Sequence, residues 1–268
     1  MHALLQPWTL GFMQRALLEL LLVGIVGGVL GCWIVLYELS YSAESLAHAL
    51  FPGLVIAALV GFPLVLGGAL GVLAAAVAVA VASRVPGIER DTAVAIVVTA
   101  LFGLGVLLAL SPSSPPGVQS LLFGDLLGVS ASDLATAAGL TGAALLGLAV
   151  MHRQLLVVGF DRRSSRPLGG RPLLADLALL ALVAAATLIA VRGLGNLLVA
   201  AVLVAPAATA QLLTGRLLRM MVLAITVAAL CSVGGLYLSY YASTAGGASV
   251  AGLLVVAYLS VRVIRRGA

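Results

Sequence analysis

Glu44 and His48 stand four residues apart in the run SYSAESLAHALFPG, and apolar residues follow at once. On a helix that spacing puts both side chains on one face, with Cβ atoms roughly 5–6 Å apart. A carboxylate and a neutral imidazole so placed can share a divalent transition metal. They can equally form a hydrogen-bonded pair whose only task is to stabilise neighbouring helices. Zinc takes about four ligands, so two donors from one helix are too few to hold it. A second copy of the chain, packed about a two-fold axis near this helix, would supply two more and could equally build part of a manganese or ferrous shell. Pro52 lies four residues beyond His48, removes one intrahelical hydrogen bond and can kink the helix there. Pro52, Gly53 and Pro206, the last within VLVAPAATA, are the candidate kink or gating residues.

The elements that must position these groups are apolar almost throughout. Of 268 residues, 63% are hydrophobic and only 9% charged, where soluble domains average about 25% charged. A water-soluble globule is excluded. Apolar windows near the length needed to cross a bilayer predict spans at about 17–37, 42–61, 64–83, 92–110, 131–150, 173–191, 196–213, 217–238 and 249–263. Period-two alternation is absent, so the expectation is an all-α polytopic membrane protein, a bundle of eight or nine transmembrane helices. The eight-helix alternative makes 196–213, with its Pro206, a re-entrant or interfacial segment. The chain reads as a single transmembrane domain over residues 1–268, with an interfacial lead-in over 1–16 and one long inside connection over 151–172. Residues 111–120, SPSSPPGVQS, break the helical pattern, and LLFGDLLGVSASD after them suggests a short segment dipping back to the surface.

All fourteen basic residues are arginine. If nine helices run from an outside N-terminus to an inside C-terminus, twelve arginines fall inside and only Arg15 and Arg192 outside, as the positive-inside rule favours. The absence of lysine excludes a P-loop and a Schiff-base enzyme. Any ATP must therefore be hydrolysed by another chain. The net charge of +5 is spread between apolar spans, which reads as a topology signal rather than a nucleic-acid patch. Cys32 and Cys231 lie apart inside apolar segments, so no disulfide framework is indicated. Glu19, Glu38, Glu89, Asp91, Asp125, Asp133, Asp161 and Asp176 fall at or near predicted span ends, where the interface can solvate them. Spacings of the GxxxG kind at Gly24/Gly28, Gly27/Gly31 and Gly67/Gly71 call for close helix contacts, within one chain or between two.

The run LYELSYSAESLAHALFPGLVIAALVG resembles the second-helix signature of permease subunits in the zinc, manganese and iron family of ABC importers. That signature is roughly a basic pair, then G-D-x-L-[SA]-H-A, then P-G. DTAVAIVVTALFGLGVLL, LLFGDLLGVS, GFD and GLGNLLVAAVLVAPAATAQLL follow in the family's order, so the resemblance extends from about residue 30 to 255. It implies a type II ABC importer-like permease in the bacterial inner (cytoplasmic) membrane, importing zinc or manganese, with iron also in range. The implied partners are a second copy of the chain, two ATP-hydrolysing subunits and an extracytoplasmic metal-binding protein. No cofactor would be bound permanently, since the metal is cargo and the partner subunit uses the ATP. Glu44 takes the place of the family's metal-pathway aspartate and His48 that of its histidine. Phe160 and Asp161, with Arg162 and Arg163 beside them, match the loop that couples to the ATPase. Tyr37 and Glu38 replace the usual basic pair.

Two other classes remain open from the residues alone. A proton-driven secondary transporter could use Glu44. An intramembrane metalloenzyme could use Glu44 and His48 as ligands, although no HExxH or GxSxG motif is present.

Overall fold

The computed structural model describes residues 6–86, 89–112, 114, 115, 117–160 and 170–267. Among them are nine long helices: α1 (Gly11–Leu36), α2 (Ser40–Val60), α3 (Leu64–Ala82), α4 (Arg90–Ala109), α5 (Ala131–Phe160), α6 (Pro172–Leu194), α7 (Asn196–Leu213), α8 (Leu217–Ala242) and α9 (Gly246–Gly267). Each contains a stretch of at least 18 residues with mean hydropathy of 1.7 to 2.5. Helices satisfy every backbone donor within the segment, which lipid requires.

Local chemistry sets the helix ends. Helix α2 stops at Gly61, whose φ of +70° places it in the left-handed region open to glycine. Pro63 and Pro172 sit at the starts of α3 and α6, where a missing N–H costs nothing. Ser130 and Asp133 cap α5 reciprocally: the Ser130 amide donates to Asp133 Oδ2 at 3.2 Å, and the Asp133 amide donates to Ser130 Oγ at 3.1 Å. The link between α1 and α2 is only three residues long, with Glu38 at a φ of +58°. Buried Tyr37 donates its hydroxyl to the Leu155 carbonyl at 2.7 Å, fastening that link to α5.

Helix α1 is the axis of the bundle. It packs against α5, α6, α7 and α8 and buries Met13, Leu20, Leu30, Trp33 and Ile34. Its glycines admit neighbouring backbones: a Cβ on Gly27 would lie 3.2 Å from the Val202 carbonyl of α7, and one on Gly31 would strike the Leu203 carbonyl. Pro206 leaves that Val202 carbonyl without its helical donor. Helices α2 and α3 meet just as closely at Gly53, Gly67 and Gly71. The GxxxG spacings therefore serve contacts inside one chain. Helices α3, α4 and α5 have only 22% of their spanning windows buried and form the outer wall.

Several boundaries differ from the sequence expectation. Helix α1 begins at Gly11 rather than near residue 17, preceded by a 3₁₀ turn at Gln6–Thr9. There Trp8 Nε1 donates to the Tyr237 hydroxyl at 2.6 Å, so the lead-in is anchored on α8. The earlier start draws Glu19 into the third turn of α1, where it is only 2% exposed. Interfacial solvation of Glu19 is thus overturned, and Gly193 leaves space for its carboxylate. Helix α5 continues to Phe160, so the first ten residues of the expected 151–172 connection are helical. Helix α7 passes through Pro206 unbroken and is long and apolar enough to cross a membrane. The segment before α5 does fold back: a short helix, Ser120–Phe123, and a 3₁₀ turn, Leu126–Gly128, bury Leu121, Leu122 and Leu126.

Nine candidate spans among the described residues, with the arginines on the inside, place the loop after α5 in the cytoplasm. Reporter fusions after Arg90, Arg166 and Arg266 are expected to read cytoplasmic, and fusions near Ser114 and Ser243 external. An external reading around Arg166 would invert the arrangement.

Candidate functional site

Helix α2 carries Glu44 and His48 on successive turns, as their spacing requires. His48 Nε2 lies 4.0 Å from Glu44 Oε1, the outer limit of an ion pair and a gap that a bound cation could close. The glutamate side chain is 57% exposed and the imidazole 26%. Glu44 opens into a groove of about 570 Å³ between α2, α7 and α9. Ala200, Ala201, Ala205 and Ala208 of α7 and Tyr258 of α9 help to line it, so its walls are smooth and mostly apolar, with one carboxylate at the side.

The imidazole is held from other directions. Phe102 of α4 lies against it with ring centroids 4.5 Å apart, and Phe51 backs Phe102 at 5.2 Å. Asn196, the first residue of α7, places its side-chain amide nitrogen 3.4 Å from His48 Nδ1. Asn196 is fully buried, and its Oδ1 has no hydrogen-bond partner among the described residues. His48 therefore presents Nε2 toward Glu44 and Nδ1 toward Asn196. Pro52, lacking an N–H, leaves the His48 carbonyl without its helical donor, one turn below the close approach of Gly53 to α3.

Phe102 and Asn196 were not singled out from the sequence. Phe102 gave no signal among apolar neighbours. Asn196 gave one: an amide at the head of the expected span 196–213, inside GLGNLLVAAV, is a polar group set among apolar residues, and such groups need a reason. Pro206 lies buried on α7 while its neighbours Ala205 and Ala208 line the groove. The coupling candidates fall elsewhere: Asp161, Arg162, Arg163 and the Phe160 side chain lie outside the described residues. Among the described residues no cluster of three or more His, Cys, Asp or Glu side chains is placed to hold a metal ion. One chain offers one oxygen-donor group and one nitrogen donor, beside an open groove.

Comparison with known proteins adds to this geometry. The model of the ABC 3 transport family matches residues 9–265. The chain is 34% identical over 240 residues to the manganese transport system membrane protein MntC of Listeria innocua, covering 90% of this chain and 86% of that one. It is 30% identical over 260 residues to the chelated iron transport system membrane protein YfeC of Yersinia pestis, covering 97% and 88%. Among solved structures it is similar to PsaBC from Streptococcus pneumoniae in complex with Fab. The TM-score is 0.88 at 30% identity, over 96% of this chain and 92% of that chain.

Proposed function

The chain belongs to the ABC 3 transport family, and from that premise we propose that it carries Mn²⁺ along a path lined by Glu44 and His48 at the interface of two copies. It is a multi-pass permease subunit of an ABC importer for a divalent transition metal, a transport component of the bacterial inner membrane rather than an enzyme. ATP hydrolysis resides in a separate subunit. The proton-driven and enzymatic alternatives find no support among its relatives.

The observation that carries the proposal is the placement of Glu44 beside His48 on the wall of an open groove. A transport site must bind and then release. Four donors assembled from two copies, and separated when the copies move apart, suit that task better than a closed shell within one chain. The alanine-rich face of α7 allows the second copy to approach closely. Manganese is favoured over zinc because the exposed donor is a carboxylate and no cysteine is among the described residues that line the groove; carboxylates suit Mn²⁺ whereas thiolates select softer ions. The relatives' names, one for manganese and one for chelated iron, point the same way. An extracytoplasmic metal-binding protein delivers the ion, and the connection beyond Phe160 transmits ATP-driven motion.

The test is uptake into vesicles containing the permease and its ATPase. ATP-dependent Mn²⁺ accumulation, reduced by a competing ion only at higher concentration, is the expected result. Accumulation without the ATPase would overturn the reading. Replacing Phe160 and Asp161 together with alanine should leave the dimer folded but reduce metal uptake per ATP hydrolysed at least tenfold. Unchanged coupling would remove the loop from the mechanism.

A further inference from the structure

One buried polar atom beside the proposed pathway is left without a task. Asn196 Oδ1 is sealed from solvent and has no hydrogen-bond partner among the described residues, while the amide nitrogen on the same carbon faces His48 Nδ1 at 3.4 Å. Building on the reading of Glu44 and His48 as the metal path, we infer that Asn196 is a positioning residue that selects the tautomer of His48 and so decides whether its Nε2 can take metal.

The chemistry follows from the two ring nitrogens. When the Asn196 NH₂ donates to Nδ1, Nδ1 must carry the lone pair, so in the neutral ring Nε2 bears the hydrogen and points it at Glu44. That tautomer has no electron pair for a metal at Nε2. A cation arriving between Glu44 and His48 needs the hydrogen on Nδ1, where a metal-bound histidine normally donates it to an acceptor. Asn196 Oδ1 has the required chemistry and is not engaged elsewhere. The amide's two ends are nearly equal in shape, so a half-turn about its Cβ–Cγ bond exchanges donor for acceptor without disturbing the packing around a fully buried side chain. One residue thereby supports both the empty and the loaded state. Phe102 against the ring face restrains the alternative response, rotation of the imidazole itself. Placement favours this role as well: Asn196 opens α7, the helix whose next turns line the groove, so a movement of α7 relative to α2 would change the Asn196–His48 distance directly.

An amide that serves both tautomers balances capture against release. Asn196→Leu, similar in size but without hydrogen bonding, should raise the half-saturating Mn²⁺ concentration for uptake by about 10- to 100-fold, the usual cost of losing a group that orients a metal ligand. The maximal rate should stay within about twofold. Asn196→Asp, a permanent acceptor, should shift half-saturation the opposite way and slow the maximal rate, because the metal leaves less readily. A residue that merely supported the fold would lower maximal rate and thermal stability in both variants at unchanged half-saturation. A second readout needs no transport: in the metal-free complex, with the permease labelled with ¹⁵N-histidine and His48→Gln used for assignment, the His48 nitrogen signals should report the Nε2–H tautomer in the native chain and shift in Asn196→Leu. A native complex whose metal uptake is unaffected by Glu44→Ala and by His48→Ala overturns the reading of Glu44 and His48 as the metal path and this role with it. A native complex that transports, with Asn196→Leu matching it in half-saturation and in the His48 signals, overturns this role alone.

Discussion

Glu44→Ala and His48→Ala are each expected to abolish metal uptake by the reconstituted complex while the permease stays folded and dimeric. The groove exposes Glu44, which faces His48 at 4.0 Å, so truncating the carboxylate strands no buried partner and should cost at most about 0.5 kcal/mol of stability. His48→Ala costs more. It removes the ring from Phe102 and leaves the Asn196 amide nitrogen without its acceptor, a penalty of about 1–3 kcal/mol. Loss of a ligand acts in each of two copies at once, which takes four donors down to two, below what a divalent ion needs. Glu44→Asp keeps the oxygen donors one methylene further back and should retain uptake with an altered Mn²⁺ to Zn²⁺ ratio. Acidification should inhibit, because metal and proton compete for the same imidazole. If the pair only braced the bundle, thermal stability and dimer content would fall together with uptake. Measuring all three on the same purified variants separates the two roles.

The second large effect is structural. Gly53→Val should prevent the permease from folding, or lower its thermal midpoint by well over what a surface change would cause. A Cβ at Gly53 would collide with the Gly67 carbonyl and would lie 2.8 Å from the Gly71 amide nitrogen and Cα. Overpacking in a core usually costs about 1–3 kcal/mol when side chains can move aside; here the obstacles are backbone atoms on α3, which cannot. Helix α2 would have to shift, and with it Glu44 and His48. Gly142→Ala in α5, with nothing near its Cβ position, should leave stability and uptake unchanged and serves as the control. Equal stability of Gly53→Val and the control would show that α2 and α3 do not pack as described.

The spacing of Glu44 and His48 by itself places them on one face, because that face follows from helical geometry alone. Span positions were legible too, since hydrocarbon thickness imposes a length and a polarity that the chain must satisfy locally. Errors were confined to places where local pattern fades. The start of α1 at Gly11 was missed because its first turns mix Gln14, Arg15 and Glu19 with apolar residues, and Glu19 was misjudged with it. The extension of α5 to Phe160 was hidden by His152, Arg153 and Gln154, which read as a loop but ride on a helix.

Partnership between helices was beyond the sequence. In a water-soluble bundle the apolar stripe of a helix names its buried side; here nearly every face is apolar, so hydropathy does not distinguish a neighbour from lipid. Glycine spacings announced that backbones would approach, yet only the tertiary structure decided that Gly27 and Gly31 meet α7 and that Gly53 meets α3. Nor could periodicity connect His48 with Asn196, which are 148 residues apart, or with Phe102 on a third helix. The membrane class, the placing of most spans and the shared helix face of Glu44 and His48 were determined by the chain itself, through length, polarity and helical pitch. Which atoms hold His48 in place, and which groove Glu44 faces, was decided by how α2, α4 and α7 pack, because contacts between distant segments depend on shape complementarity that no local pattern encodes.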